Sequence, residues 1–593
     1  MTTTAAPLAP PPPPPVKAPL AARARERIRS LTPFRVVTGL VVLVFALLVL
    51  YTLGTVVFRL FFPDGGFSLA PFRLAFTQPG IGKVILNTVI IVASSGVLAL
   101  VVGSLLAWIS ERTDARLRPI AALLPVVPFL LPPIGGAIGW TVLLSDNAGY
   151  LNVILRWLLD HVGVHLESGP FNIYSWYGMI ILYTLYQIPF AFMLVSAGLS
   201  SIDPQLEEAA RVSGYGKLKT LRKVTLPALK PSIGGAGLLM VWFGFSLFAV
   251  PVIIGPRSGI EVLAVRIVNL LTFSYPAQIE PAVGLASVLV LFVGAAWYFQ
   301  GRILRSGRNA AVGGKGRRAA PQKLGIWRRP AQALLLLYPV LTLVLPVIAF
   351  LIVALTGYWS ANVRWDNTSF KMFETVIFKN FQTQLALKTS VILALVGATI
   401  GIVAATLIAL YLRRAGRIRG RFVDAVIKLP AIFSPIVVGV AFILSVGGTP
   451  LNLSGTFLIL LLAYLVLFIP QGTVTADAAA AQIAPELIEA ARLSGASENR
   501  ILRRIQLPLM LPSLAAGWSL MFVWMVGELN ASALLAGAGT QVIGFQLLDI
   551  VTSGTLGVLS ALVLLLTVVN LIIIGLSALL TRSRVFTGVR TVT

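Results

Sequence analysis

Few residues in this sequence have both the type and the setting for chemistry, and the first is Glu528. It stands alone as a charge in the apolar run from Leu511 to Ala536. It lies about 26 Å along a helix that starts near Leu511, at 1.5 Å per residue. A carboxylate at that depth is costly and faces the protein interior or a cavity by default. It could serve a cationic substrate as a transient way-station, or it could hold a hydrogen bond to Trp524, Asn530 or a backbone group. The sequence's two histidines, His161 and His165, sit with Asp160 and Glu167. Four residues apart, they would share one helical face. The sequence favours a solvated amphipathic loop helix there over a metal site. The chain has no cysteine, which excludes disulfides, thiol catalysis, Cys-ligated zinc and iron–sulfur clusters. Gly314-Lys315 suggests a phosphate loop, but Asn309 stands where the first Gly is needed and Gly316 where Ser or Thr is needed. No acid, base and nucleophile recur together as an enzyme requires, so neither a catalytic residue nor a bound cofactor is expected in this chain.

The elements that must position Glu528 are membrane spans. The 593 residues are 57% hydrophobic and only 11% charged, against about 25% charged in soluble domains. A soluble globular protein is therefore excluded. Uncharged apolar segments of about 20 residues read as an all-α polytopic membrane protein with twelve transmembrane helices, six plus six. They lie near 36–58, 82–110, 118–143, 175–199, 229–253 and 281–301, then 331–356, 385–411, 422–446, 455–475, 511–536 and 556–580. Residues 1–34 read as a disordered cytoplasmic tail, with an unbroken proline run from Pro10 to Pro15 and a basic cluster. Residues 305–329 read as a basic, glycine-containing cytoplasmic linker and 586–593 as a cytoplasmic tail. The formal net charge of +26 could signal nucleic acid, an anionic surface or topology. With the N-terminus inside, 37 of the 47 Lys and Arg residues fall on the cytoplasmic side. The charge thus records insertion topology, with both termini cytoplasmic. The partner it implies is lipid headgroups rather than nucleic acid.

The two halves share a loop. Ile202-Asp203-Pro204-Gln205-Leu206-Glu207-Glu208-Ala209-Ala210-Arg211-Val212-Ser213-Gly214 matches Ile483-Ala484-Pro485-Glu486-Leu487-Ile488-Glu489-Ala490-Ala491-Arg492-Leu493-Ser494-Gly495. Both continue through nine residues to a hydrophobic-x-Leu-Pro that ends at Leu226-Pro227 or Leu507-Pro508. Aligned residues are 281 positions apart, as in Glu208 and Glu489. Each loop falls between the fourth and fifth span of its half, and repeated spanning units mark transporters. The prolines suit helix starts, the Glu-Ala-Ala runs are good helix formers with a small face, and the glycines break the helix where a positive φ is needed. Two matching rigid elements on one side suggest two docking sites for a symmetric partner. By the same offset, Glu528, Asn530 and Ser532 oppose Leu247, Ala249 and Pro251. With Ser246 and Phe248, which flank Leu247, the three polar residues form the candidate translocation pathway.

Glu-Ala-Ala, three residues, Gly, nine residues and hydrophobic-x-Leu-Pro resembles the EAA loop of the permease subunits of binding-protein-dependent ABC importers. Glu208, Ala209, Ala210, Gly214, Leu226 and Pro227 carry it in the first half, and Glu489, Ala490, Ala491, Gly495, Leu507 and Pro508 in the second. The resemblance implies two tandem six-helix permease domains, 35–304 and 330–585, in a bacterial cytoplasmic membrane. It implies that each loop forms a coupling helix seated on one of two cytoplasmic ABC ATPase subunits, which bind the ATP and magnesium. It also implies an extracytoplasmic binding protein that delivers substrate. Two halves fused in one chain resemble the ferric-iron permeases most, with thiamine and aminoethylphosphonate permeases near. Pro170-Phe171-Asn172-Ile173-Tyr174-Ser175, Val262-Leu263-Ala264-Val265-Arg266-Ile267 and Gly527-Glu528-Leu529 agree. Ferric iron is thus the leading substrate, and aminoethylphosphonate, thiamine, polyamines and other small solutes stay open. An ion-coupled secondary transporter is the remote alternative, because the spans lack a relay of buried ionisable groups.

Overall fold

The computed structural model describes residues 33–587, apart from 64, 118–119, 122–123, 307–320 and 449. Most of the expected N-terminal tail, the middle of the expected linker and the last six residues lie outside the described residues. Among the described residues every element is helical, apart from one isolated parallel bridge between Thr113 and Gln322. The first half contains α1 (Pro33–Phe61), α2 (Ile81–Arg112), α3 (Pro133–Leu144), α4 (Trp176–Ser201), α5 (Pro204–Val212), α6 (Leu226–Ser246) and α7 (Ile279–Ser306). The second half begins with α8 (Gly325–Thr356), α9 (Phe381–Arg414), α10 (Arg417–Lys428) and α11 (Pro435–Phe442). It ends with α12 (Phe457–Ala481), α13 (Pro485–Leu493), α14 (Leu507–Val526) and α15 (Leu556–Thr587). From α4 onward the halves keep the same register, and even the N-caps correspond. The Ser175 hydroxyl accepts from Gly178 N–H at the start of α4, and the Thr456 hydroxyl accepts from Ile459 N–H at the start of α12.

The expected count of twelve spans is not reproduced. Among the described residues ten helices are long and apolar enough to cross a membrane, or eleven if one pair bent by 101° counts as a span. The departures are the third span of each half. Prolines 125, 128, 132 and 133 interrupt the first of them. What remains continuous, α3, is 12 residues long, or about 18 Å against a hydrocarbon core of about 30 Å. In the second half the chain bends between Ile432 and Pro435. Proline lacks the N–H and its ring clashes with the preceding turn, so apolar runs containing it break.

The first span of each half reaches the other half, α1 packing mainly there and α8 dividing its contacts between that half and α15 of its own. Helix α1 packs on α9, α10 and α11 of the second half, and the Leu345–Thr356 part of α8 packs on α3 of the first. Tyr51 on α1 donates to the Ser445 carbonyl at 3.0 Å. Tyr338 on α8 donates at 3.0 Å to the Leu185 carbonyl, which lost its in-helix partner to Pro189. Asn570 on α15 donates to the Leu130 carbonyl at 3.1 Å. Small residues allow this close approach. A Cβ added at Gly139 would lie 2.7 Å from Pro346 Cβ, and one at Gly135 would lie 3.1 Å from Val563. One apolar core runs through both halves.

Candidate functional site

The two shared loops fold alike. Proline opens α5 and α13, buried Ile202 and Ile483 tether the residues just before them, and both helices end at a left-handed glycine. Gly214 has φ 82° and Gly495 has φ 78°. Nothing lies within 4 Å of a Cβ added at either, so the backbone alone demands glycine. The closing bonds repeat as well. Ser213 and Tyr215 N–H donate to the Ala209 and Ala210 carbonyls, and Ser494 and Ala496 N–H donate to those of Ala490 and Ala491, each at 3.0 Å. Glu208, Ala209, Glu489 and Ala490 are exposed, and Ala210 and Ala491 are half-buried. Pro227 and Pro508 are exposed at the second positions of α6 and α14, next to Leu226 and Leu507. Each helix also bares apolar side chains at matched places. Val212 is 89% exposed and Leu493 91%, while Leu206 is 54% exposed and Leu487 44%. Singly exposed apolar side chains are common on any surface, but here the exposure repeats at matched positions of the two helices.

What anchors the helices differs between the halves. Arg112, the last residue of α2, and Arg414, the last of α9, occupy corresponding places. Arg112 forms a 3.5 Å ion pair with Glu207 inside α5, both side chains 6% exposed. Its guanidinium also donates to the Leu199 carbonyl at 3.0 Å, and the Thr225 hydroxyl donates to Glu207 at 3.0 Å. The residue matching Glu207 is Ile488, so that clasp is absent in the second half. There Glu498, just after α13, bridges Arg414 and Arg492 at 2.9 Å each, with all three partly exposed. The sequence pattern drew attention to Glu208, whereas the buried neighbour Glu207 carries the contact. Its missing counterpart at Ile488 was the available signal.

The candidate pathway residues lie in two sets, Ser246 and Phe248 at the end of α6 and Glu528, Asn530 and Ser532 just beyond the end of α14. Helix α14 stops at Val526, so Glu528 lies in a break rather than mid-helix. Gly527 and Asn530 were the unread signals of that break. Tyr183 on α4 donates to the Leu247 carbonyl at 2.9 Å. Its counterpart Tyr464 on α12 donates to the Glu528 carbonyl at 3.5 Å. Both phenol rings are buried. These matching tyrosines, 281 residues apart, hold the two breaks. The Glu528 carboxylate, itself buried, accepts from Ala531 N–H at 2.9 Å and Ser532 N–H at 3.0 Å, and Ser532 Oγ donates to its carbonyl at 2.6 Å. Of the expected partners, backbone groups hold it. It caps the short helix Ser532–Leu535 in the manner of an N-cap. Ser246 bonds back to the Trp242 carbonyl at 2.8 Å, Phe248 is fully buried, and Asn530 is half-buried.

The histidines do not share a helical face. The helix Tyr150–Asp160 ends before them, and Gly163, at φ 83°, turns the chain. His161 Nδ1 bonds the Trp157 carbonyl at 2.7 Å, and exposed His165 contacts Asp160. Among the described residues no group of three His, Asp or Glu side chains is arranged to hold a metal ion.

Comparison with known proteins agrees with this repeated architecture. The family described as binding-protein-dependent transport system inner membrane component matches residues 99–305 and again 397–585. A Haemophilus influenzae protein provisionally named ferric transport system permease protein FbpB 1 is 24% identical over 519 residues, covering 85% of this chain and 78% of its own. Ferric transport system permease protein FbpB of Actinobacillus pleuropneumoniae is 24% identical over 543 residues, covering 90% and 76%. Spermidine/putrescine transport system permease protein PotC of H. influenzae is 29% identical over 220 residues, covering 37% and 84%. A crystal structure of a bacterial ABC transporter for alginate import aligns over 43% of this chain and 96% of its own, with a TM-score of 0.38 and 19% identity. With two copies of the family's domain, this chain belongs to the inner-membrane permease components of binding-protein-dependent ABC importers, which are transport subunits rather than enzymes.

Proposed function

We propose that this chain is the translocating subunit of a ferric-iron importer. One observation carries the substrate: the ferric permeases named above match both halves as one continuous chain, whereas the polyamine permease matches only a half. A binding protein on the outer side delivers the ion. Two ABC ATPase subunits, holding ATP and magnesium, dock on α5 and α13 through Glu208, Ala209, Ala210 and Gly214 and through Glu489, Ala490, Ala491 and Gly495. The bared Val212 and Leu493 support this, since a docked partner would cover them. The basic face lies in the cytoplasm, with both termini, by the positive-inside rule. Glu528, Asn530 and Ser532, opposite Ser246 and Phe248, border the route. The carboxylate, buried here, meets a passing cation only in a conformation that uncovers it.

The test is the ligand of the cognate binding protein, identified by thermal shift with ferric citrate, aminoethylphosphonate, thiamine and putrescine. It is followed by uptake of radioactive iron into vesicles holding the whole transporter. Stabilisation by ferric iron with ATP-dependent uptake is expected. Stabilisation by one of the other solutes, with no iron uptake, would replace iron with that solute.

A further inference from the structure

Five aromatic side chains form a continuous bridge from one half to the other. Phe243 on α6 meets Phe190 on α4 at 4.8 Å between ring centroids. Phe190 meets Phe129, in the broken third span, at 5.9 Å. Phe129 crosses to Trp524 on α14 at 5.7 Å with the planes at 76°, and Trp524 stacks on Phe468 of α12 at 6.2 Å. These edge and offset contacts are the favoured aromatic geometries. All five are half-buried, and Phe129, Phe190, Phe243 and Phe468 pack at the edge of the apolar core.

Its placement follows the internal repeat. Phe243 and Trp524 are counterparts, 281 residues apart, each four residues before the break held by Tyr183 or Tyr464. The in-helix prolines Pro189 and Pro470 are also counterparts, and around them the halves trade side chains. The first reads Gln187-Ile188-Pro189-Phe190 and the second Phe468-Ile469-Pro470-Gln471. Each half therefore supplies one ring beside its in-helix proline, but from opposite sides of it. Helices α6 and α14 lead straight from the shared loops, so a displacement of α5 or α13 is passed along them to Phe243 or Trp524.

Taking the chain as an importer permease, we propose that this ring bridge is the closed barrier of the translocation route, and that it opens where Phe129 meets Trp524. A layer of apolar rings stops hydrated ions because water leaves such a constriction. The remaining contacts lie within a half and can move with it, whereas the Phe129–Trp524 contact joins the halves and must part for passage.

The test uses the full chain in liposomes loaded with calcein, with cobalt ions outside as the quenching probe. The double variant Phe129→Ala, Trp524→Ala should admit cobalt on the order of tenfold faster than the wild type, because the dewetted layer is lost. Phe129→Leu with Trp524→Tyr should stay tight. Phe245→Ala should also stay tight, since it removes a buried ring that stacks at 5.0 Å on Phe292 within the first half. A tight double variant, or equal leak from Phe245→Ala, would overturn the proposal. Should the double variant fail to insert, the chain's lack of cysteine gives a second measurement. Phe129→Cys with Trp524→Cys should be bridged by a short bis-methanethiosulfonate, each thiolate displacing one methanesulfinate to form a disulfide, and failure to bridge would overturn it too. Neither readout depends on which solute is carried, so failure of the iron reading and failure of the barrier are separable.

Discussion

Glu207→Gln separates the two loop anchors. In the first half the substitution removes the counter-charge of Arg112, and both partners are 6% exposed. Stranding one partner of a buried pair costs about 3–5 kcal/mol. The guanidinium keeps the Leu199 carbonyl at 3.0 Å and a longer contact of 3.4 Å to that of Ile202, and the new amide still accepts from Thr225. Those residual bonds bring the expected cost down to roughly 2–3 kcal/mol. The parallel change Glu498→Gln strikes a network whose members are 26–52% exposed, worth about 0–1 kcal/mol. Hydrogen exchange of the full chain in lipid nanodiscs reads both loops at once. Protection of α5 should fall roughly 30- to 150-fold in Glu207→Gln, and that of α13 less than about fivefold in Glu498→Gln, at 1.4 kcal/mol per factor of ten. Arg112→Met with Glu207→Ile, which copies the apolar character of Ile488, should restore most of the protection, because replacing both partners of a buried pair is tolerated. Equal losses in the two loops, or no loss in Glu207→Gln, would refute the asymmetric anchoring.

Gly214→Ala and Gly495→Ala meet no neighbour, so each should lose only the left-handed backbone term of about 1–2 kcal/mol, alike in both loops by the same exchange measurement. Gly139→Ala brings its Cβ to 2.7 Å from Pro346 and should cost about 1–3 kcal/mol by overpacking, read as a lowered Tm in a fluorescence scan of the detergent-solubilised chain. Glu528→Gln keeps one backbone cap and loses the other, a cost of about 1–3 kcal/mol. With normal expression, unchanged iron uptake by this variant would remove the carboxylate from the pathway. Reversing charge at both Glu208 and Glu489 should abolish co-purification of the ATPase subunits while leaving membrane insertion intact, and retained association would count against docking on α5 and α13.

Spans and repeat were legible because they are local or periodic. Uncharged apolar runs mark helices whatever they pack against, and Pro204 to Gly214 carries its own start and stop. The count departs at the third spans because hydropathy is blind to direction: the second half's run, which bends by 101°, has the same composition as a straight one. Prolines 132 and 133 or Pro435 held the correction. Glu528 is legible as the one charge in an apolar run, but its place as a buried cap depends on α14 stopping at Val526, which Gly527 and Asn530 only hint at. The Arg112–Glu207 clasp and the Phe129–Trp524 contact join residues 95 and 395 positions apart. Nothing in a local pattern pairs such residues. The repeat register comes closest, since it exposes Ile488 and the traded Phe and Gln as places where the halves disagree.

The reach of α1 into the second half sets a timetable for biogenesis. Tyr51 finds its partner carbonyl at Ser445, 394 residues later, so α1 enters the membrane long before the surface it packs against exists. At about 5–20 residues per second, the wait is roughly 20 to 80 seconds. During that interval α1 must be parked in lipid or held by the insertion machinery. Exposed Leu40, Leu43, Val44 and Leu47 give it a face at ease in lipid for as long as the second half takes to arrive.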